Sequence, residues 1–230
     1  VKHLYIHQHQ ALGDHVICNG LCREIIKNKK QQGYTHFVLW TYDWLMPTVS
    51  FMFRDLENVE IKDNTHDREY CDRFYAQQGV TSNDTVGINL GNFSNSVNWD
   101  QRFYLGQNIP FETRWSSFYA QRDANREKDL YNQINPHDEP YVVVHNRFNL
   151  VNYAKIRSDL KRIEISPGIT NNAFDYLTLL EKAAEIHVCD SSFKHIVESF
   201  DMFKQNLFYH NNPPRNANHY HTSRKEWIMA

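Results

Sequence analysis

No C-x-x-C pair occurs among the four cysteines, Cys18, Cys22, Cys71 and Cys189, so neither a zinc knuckle nor a disulfide framework is indicated. Cys18 and Cys22 stand at helical i, i+4 spacing and the other two stand alone. There is no G-x-G-x-x-G and no G-x-x-x-x-G-K-[ST], which removes the two commonest glycine-rich phosphate loops. D-x-D, a metal-binding motif of one large class of sugar-transferring enzymes, is also absent. No apolar run approaches the roughly 18 residues of a membrane span, and the opening VKHLYIHQHQ is not a signal peptide. Net charge is small, −2 with a pI near 6.7, so no global field draws the chain to nucleic acid or anionic membrane. The cysteine usage fits a reducing compartment, and a cytoplasmic location, in a bacterium or a virus-infected cell, is expected.

Against these absences stand 230 residues with 41% apolar and 23% charged content, enough for one large domain or two small ones and too apolar for disorder. Aromatics are plentiful, with 13 Tyr, 14 Phe and 5 Trp. The start at Val rather than Met reads either as a trimmed terminus or as a piece of a longer polypeptide with further domains.

Short apolar runs alternate with amphipathic segments. Leu4 to His7, His36 to Trp40, Val59 to Lys62 and Thr85 to Leu90 read as strands. Between them fall helices from about Asp14 to Lys30, Asp43 to Arg54 (interrupted near its start by Pro47) and Asp67 to Gln78. A long polar helix is expected from Pro110 to about Asn135, ended by Pro136. The alternation then restarts with strands Tyr141 to His145, Ile163 to Ile165, Glu185 to Cys189 and Gln205 to His210, and helices Asn172 to Ala184 and Ser191 to Phe200. Such βα alternation implies parallel sheets. The expected organisation is α/β, with a Rossmann-like domain over 1–112, a second over 113–230 and a linking helix over about 113–135.

Ligands of open α/β sheets bind beyond the carboxyl ends of the strands. Two strand-to-helix turns matter there. In ALGDHV, Gly13 lets a backbone approach a ligand, and Asp14 is either a helix cap or a general base whose charged form the helix start favours. In CDSSFKH, the unpaired N–H groups near Ser191, Ser192 and Phe193 suit an anion such as a phosphate, with His195 one turn on; plain capping by Asp190 or Ser191 is the alternative.

Other candidates are weaker. Arg147, Lys155 and Arg157 make a basic loop after a strand, suited to a diphosphate or simply solvated. Phe174 is placed to stack on a base or pack in the core, and Asp175 to reach a ribose or cap a helix, with Glu181 further along. The loop holding Asn89, Asn92, Asn95, Asn98, Trp99 and Tyr104 suits sugar hydroxyls and ring faces, Asn92 and Trp99 foremost, though an Asn-rich turn is the plainer reading. The pairs His7/His9 and His219/His221 lack the Cys or carboxylate partners of known zinc spacing, so no metal is expected. His219, His221, Arg224 and Lys225 are read instead as a latch supplying cations to phosphates.

A strand, then LGD, then a helix carrying Asn19 and Arg23 resembles the N-terminal signature of heptosyltransferase-like glycosyltransferases, and EIHVCDSSFKHIVES resembles their D-S-[GS]-x-x-H element. LGDHVICNG, AFDYLTLLEKAAEIHVCDSSFKH and HYHTSRKEW together are similar to small bacterial, phage and giant-virus members. The resemblance implies a GT-B architecture, with two small Rossmann-like domains facing across a cleft. It implies transfer of a sugar from a nucleotide-diphosphate donor to a glycan or oligosaccharide hydroxyl, without metal or other cofactor. Asp14 would be the base of an inverting reaction, and the basic loop and CDSSFKH turn the diphosphate site. A UDP-sugar such as UDP-rhamnose or UDP-xylose is the expected donor, and Ser192, where the family usually has Gly, speaks against heptose. The rivals are a hydrolase or epimerase of nucleotide sugars and a silent nucleotide- or glycan-binding module.

Overall fold

A computed structural model describes residues 1–8, 11–63, 81–88, 97–147, 149–210 and 222–230. The expected helix Asp67 to Gln78 lies outside the described residues, as do Asn92, His9, His219 and His221. The chain forms two compact units, Val1–Gln121 and Arg122–Ala230, dividing nine positions after the expected 112.

Unit 1 holds β1 (His3–His7), α1 (Leu12–Ile17), α2 (Asn19–Gln31), β2 (His36–Thr41), α3 (Met46–Phe53), β3 (Val59–Asp63), β4 (Thr85–Gly87), α4 (Trp99–Leu105) and α5 (Thr113–Ser116). Its four strands are parallel in the order β3-β2-β1-β4. Phe37, Val38, Leu39 and Trp40 of β2 are all buried, as expected of a strand covered on both faces. Val16, Ile17, Leu21, Cys22, Ile25 and Ile26 bury the inner stripe of α1 and α2. Each such aliphatic side chain contributes roughly 1.5–3 kcal/mol of transfer free energy.

The helix expected from Asp14 to Lys30 is two helices, broken at Cys18. The cause is a side chain inserted into the helical ladder. The Ile17 carbonyl accepts the Tyr104 hydroxyl at 2.7 Å, and the backbone of Leu21, its normal helical partner, hydrogen-bonds the same phenol. Just beyond the break, Gly20 allows close packing. A Cβ there would collide with the Thr113 carbonyl oxygen.

The long helix expected over Pro110 to Asn135 is also corrected. Only Thr113–Ser116 and Ala124–Ile134 are helical, and 117–123 is irregular. Its polar groups are spent on tertiary bonds instead. Asn19, fully buried, accepts from the Tyr119 N–H at 3.0 Å and donates to the Tyr119 carbonyl at 3.1 Å. Arg23 adds a 2.7 Å bond to that carbonyl and a bidentate pair to Asp55, while Ser117 donates to Glu24 at 2.8 Å. Asn19 and Arg23, which carry part of the family resemblance, thus act in this unit as a clamp on the 117–121 segment.

Unit 2 holds α6 (Ala124–Ile134), β5 (Tyr141–His145), β6 (Lys161–Glu164), α7 (Leu177–Lys182), β7 (Glu185–Cys189), α8 (Ser192–Ser199), β8 (Asn206–His210) and β9 (Ile228–Met229). All five strands are parallel, in the order β6-β5-β7-β8-β9. Asp123 starts α6 by accepting from the Arg126 N–H at 3.1 Å. The expected helix Asn172 to Ala184 is a 3-10 turn, Ala173–Tyr176, running into α7. In each unit the chain leaves the first strand to opposite sides, β1 toward β2 and β4, β5 toward β6 and β7. These are the switch points at which open α/β sheets bind ligands. Among the described residues no helix is long and apolar enough to cross a membrane.

Candidate functional site

Asp14 stands just beyond the carboxyl end of β1. It is the third residue of α1 rather than its cap, the cap position being Ala11. Its Oδ2 accepts the Ala11 backbone N–H at 3.1 Å, and its Oδ1 accepts the Trp99 indole N–H at 3.3 Å. Trp99 opens α4 and packs edge-to-face on Phe103. Two sequence candidates separated by 85 positions are therefore brought into direct contact, both half-buried. Gly13 lies within the first turn of α1. His15, the next residue after Asp14, is buried and meets the Thr41 hydroxyl at 2.9 Å. Burial pushes its pKa down to about 3, so it is neutral and is not a second acid–base group at neutral pH.

In unit 2 the switch point is built from His145, at the end of β5, and the start of α8. Ser191 occupies the cap position but does not cap with its side chain. Its hydroxyl meets His145 Nδ1 at 2.9 Å instead. The His145 ring lies 4.6 Å from Phe193, which also meets Tyr176 edge-on. Burial first, then the Arg147 guanidinium, lowers the His145 pKa to about 4, leaving a neutral imidazole. His145 was not among the sequence candidates. Its signal is a histidine ending a continuous apolar strand, but its partner lies 46 positions away.

The other candidates divide. Ser192 is half-exposed at the first turn of α8, whereas His195 is buried, only 3% exposed. Arg147 is exposed, and its backbone N–H donates to Cys189 Sγ at 3.2 Å. Lys155 is exposed on a 3-10 turn, and Arg157 is paired with Asp159. Phe174 is fully buried and edge-to-face with Phe200, a core position rather than a platform open to a base. Asp175 is buried under Arg126 at 2.7 and 2.9 Å, with Thr170 and Asn172 also donating. Burial alone would raise its pKa, but those donors outweigh it and hold the carboxyl below its usual range. Glu181 pairs with Arg122 at 2.7 Å.

The C-terminal latch is corrected in position. The Arg224 N–H and the Trp227 indole donate to the Glu198 carboxylate, Arg224 Nε donates to the Glu198 carbonyl, and Arg224 pairs with Asp201. Lys225 donates to the Phe203 carbonyl at 3.2 Å. These contacts lie at the C-terminal end of α8, opposite its Ser191–Phe193 start, so the cations fasten the segment to the helix end. A hollow lined by Lys204, Arg224, Lys225 and Asn206 lies there too, at the amino end of β8 and away from the switch point. Among the described residues no group of three or more His, Cys, Asp or Glu could hold a metal ion.

No family model and no curated protein sequence matches the chain. Solved structures do. The chain is similar to the glycosyl transferase family 9 protein from Veillonella parvula, with a TM-score of 0.57 and 9% identity over 100% of this chain and 86% of that one. It is also similar to the ADP-heptose LPS heptosyltransferase II of E. coli, with a TM-score of 0.50 and 12% identity over 91% and 84%. At these identities the likeness is one of fold. The chain has the expected GT-B-like α/β fold, made of two small Rossmann-like units.

Proposed function

We propose that the protein is a glycosyltransferase that moves a sugar from a nucleoside-diphosphate donor to a hydroxyl of a glycan. The observation that carries the reading is the Asp14 carboxylate, held by Trp99 and the Ala11 N–H beyond the switch-point strand of unit 1. The fold shared with a family 9 glycosyl transferase and an ADP-heptose heptosyltransferase supports it.

In this reading Asp14 takes the proton of the acceptor hydroxyl as that oxygen attacks the anomeric carbon. The bond from that carbon to the diphosphate breaks, and the nucleoside diphosphate leaves with the electron pair. A single displacement of this kind inverts the anomeric configuration. The leaving diphosphate is stabilised without metal by Arg147, Lys155 and the α8 start at Ser191, Ser192 and Phe193, preorganised donors aimed at developing charge. The His145–Ser191 pair orients the hydroxyl at that start. In this reading the buried His195, Phe174 and Asp175 are given structural roles, and Ser191 and Phe193, also buried, act through their backbone N–H groups. A UDP-sugar, with rhamnose or xylose as the sugar, is the favoured donor.

Metal-free calorimetry with UDP, GDP, ADP and dTDP tests the donor site, on wild type and on Arg147→Ala. One nucleotide is expected to bind, with affinity reduced about tenfold or more in the variant, as suits loss of a charge-assisted contact. Binding to none of the four defeats the donor-site assignment. Nucleotide binding together with sugar release that added glycan does not accelerate would favour a hydrolase instead.

A further inference from the structure

Trp44 is the most exposed large aromatic side chain among the described residues, at 64%. It is not a loose surface residue. Its indole stacks on the Tyr42 ring with centroids 4.5 Å apart and planes within 5°. The Asp43 carboxylate accepts the Trp44 backbone N–H at 2.6 Å, and both residues sit on a 3-10 turn, Asp43–Leu45, that Tyr42 precedes and that leads into α3. One face of the indole is covered by Tyr42, and most of the rest is open to water.

The turn's position gives this exposure a purpose. β1 and β2 are parallel neighbours in register, His7 opposite Trp40, so both chains leave the sheet at the same carboxyl edge. Tyr42 is the first residue past the end of β2, and Asp14 follows the end of β1. The His15–Thr41 bond of 2.9 Å ties the residue beside Asp14 to the residue beside Tyr42. The aromatic stack and the carboxylate are therefore anchored through one buried hydrogen bond.

We infer that the Tyr42–Trp44 stack is a carbohydrate platform that seats one pyranose ring of a glycan by its C–H face. A planar, preorganised aromatic gives large contact area at little entropic cost. The exposed Asp43 beside it supplies an acceptor for sugar hydroxyls. A protein or membrane partner would call for a broad apolar patch of several hundred Å². Along this stretch the exposed side chains are polar, with Ser50 on the following helix, Arg54 just past its end and no second exposed large apolar side chain among residues 41–63. The inference rests on the transferase reading for the identity of the glycan as acceptor, but not for the platform itself.

The test is saturation-transfer NMR on the full chain with five methyl glycosides: α-rhamnoside, β-xyloside, α-mannoside, β-glucoside and N-acetyl-β-glucosaminide. At least one is expected to receive saturation mainly on the C–H protons of one ring face. Trp44→Ala should weaken that binding at least tenfold and Trp44→Phe by no more than about threefold, since a flat ring face is retained. Circular dichroism confirms folding of both variants, and nucleotide affinity should be the same in all three proteins. The platform is overturned if no glycoside binds, or if binding survives Trp44→Ala. Glycoside binding lost in Trp44→Ala, in a protein that binds no nucleotide, would uphold the platform and sink the transferase reading.

Discussion

The Trp99 indole N–H donates to Asp14 Oδ1 at 3.3 Å, on the opposite carboxylate oxygen from the Ala11 backbone N–H. One donor on each oxygen fixes the plane of the carboxylate. A base that must meet a hydroxyl at hydrogen-bond distance depends on such orientation. Asp14→Asn keeps the shape but loses the proton acceptor. Transfer to an acceptor glycan is expected to fall about 10²–10⁴-fold, the usual worth of a general base, with nucleotide affinity unchanged. Trp99→Phe keeps the aromatic contact with Phe103 but removes one donor worth about 1.5–3 kcal/mol to a charged group, so a loss of about 10- to 100-fold in kcat is expected. Steady-state rates of the two variants check this, and an Asp14→Asn enzyme of near wild-type rate would dismiss Asp14 as the base.

Asn19 offers a separate prediction about stability. It is fully buried and satisfies both the N–H and the carbonyl of Tyr119, and its Oδ1 also accepts Arg23 Nε at 3.1 Å. Asn19→Ala leaves the Tyr119 N–H without that acceptor and frees the 117–121 segment. A cost of about 1–3 kcal/mol is expected in urea unfolding of unit 1, because the Tyr119 N–H and Arg23 Nε lose their acceptor while Arg23 still holds the Tyr119 carbonyl. Asn28→Ala, at an exposed position on the same helix, should stay within about 0.5 kcal/mol of wild type. Equal effects from the two substitutions would rule out the clamp.

Tyr141–His145 has the expected ends, because a parallel strand buried on both faces is a nearly continuous apolar run, and Glu185–Cys189 has them too although the buried Glu185 and His187 interrupt its apolar pattern. The break at Cys18 has only a weak local signal, the Asn19-Gly20 pair, which a long amphipathic helix can tolerate. The hydroxyl that causes it arrives from Tyr104, 87 positions on. The irregular 117–123 segment contains no proline or glycine, and its polar groups go to partners outside it: Ser117 to Glu24, Tyr119 to Asn19 and Arg23, and Arg122 to Glu127 and Glu181. β9 is two residues long and pairs at the sheet edge, below any pattern that alternation can reveal. Within the site, Asp14 was visible as a carboxylate after a strand, and Trp99 as an aromatic suited to sugars. Their contact was not visible, nor was that of His145 with Ser191, because both pairs are made by sheet topology rather than by spacing.

A buried chain of side chains in unit 2 makes the last prediction one of pH. The Asn152 N–H donates to His210 Nδ1 at 3.1 Å, so the proton of neutral His210 is on Nε2, 3.1 Å from His187 Nδ1. The proton of His187 is then on Nε2, facing Glu185 Oε2 at 3.1 Å. Protonating His210 would set an N–H against the Asn152 N–H. Burial first, then His187, lowers the His210 pKa to about 4, and burial lowers that of His187 despite the opposing pull of Glu185. Unfolded histidine titrates near about 6.5. Between that value and about 4 the unfolded chain binds the extra protons, so stability is fully present above about pH 6.5 and is lost as pH falls toward 4. Each such histidine gives a slope of up to about 1.4 kcal/mol per pH unit in that window. Urea midpoints for unit 2 should therefore drop steeply between pH 6.5 and 4.5, and His210→Gln should start lower and fall less steeply. An unchanged slope in that variant would remove His210 from the acid response.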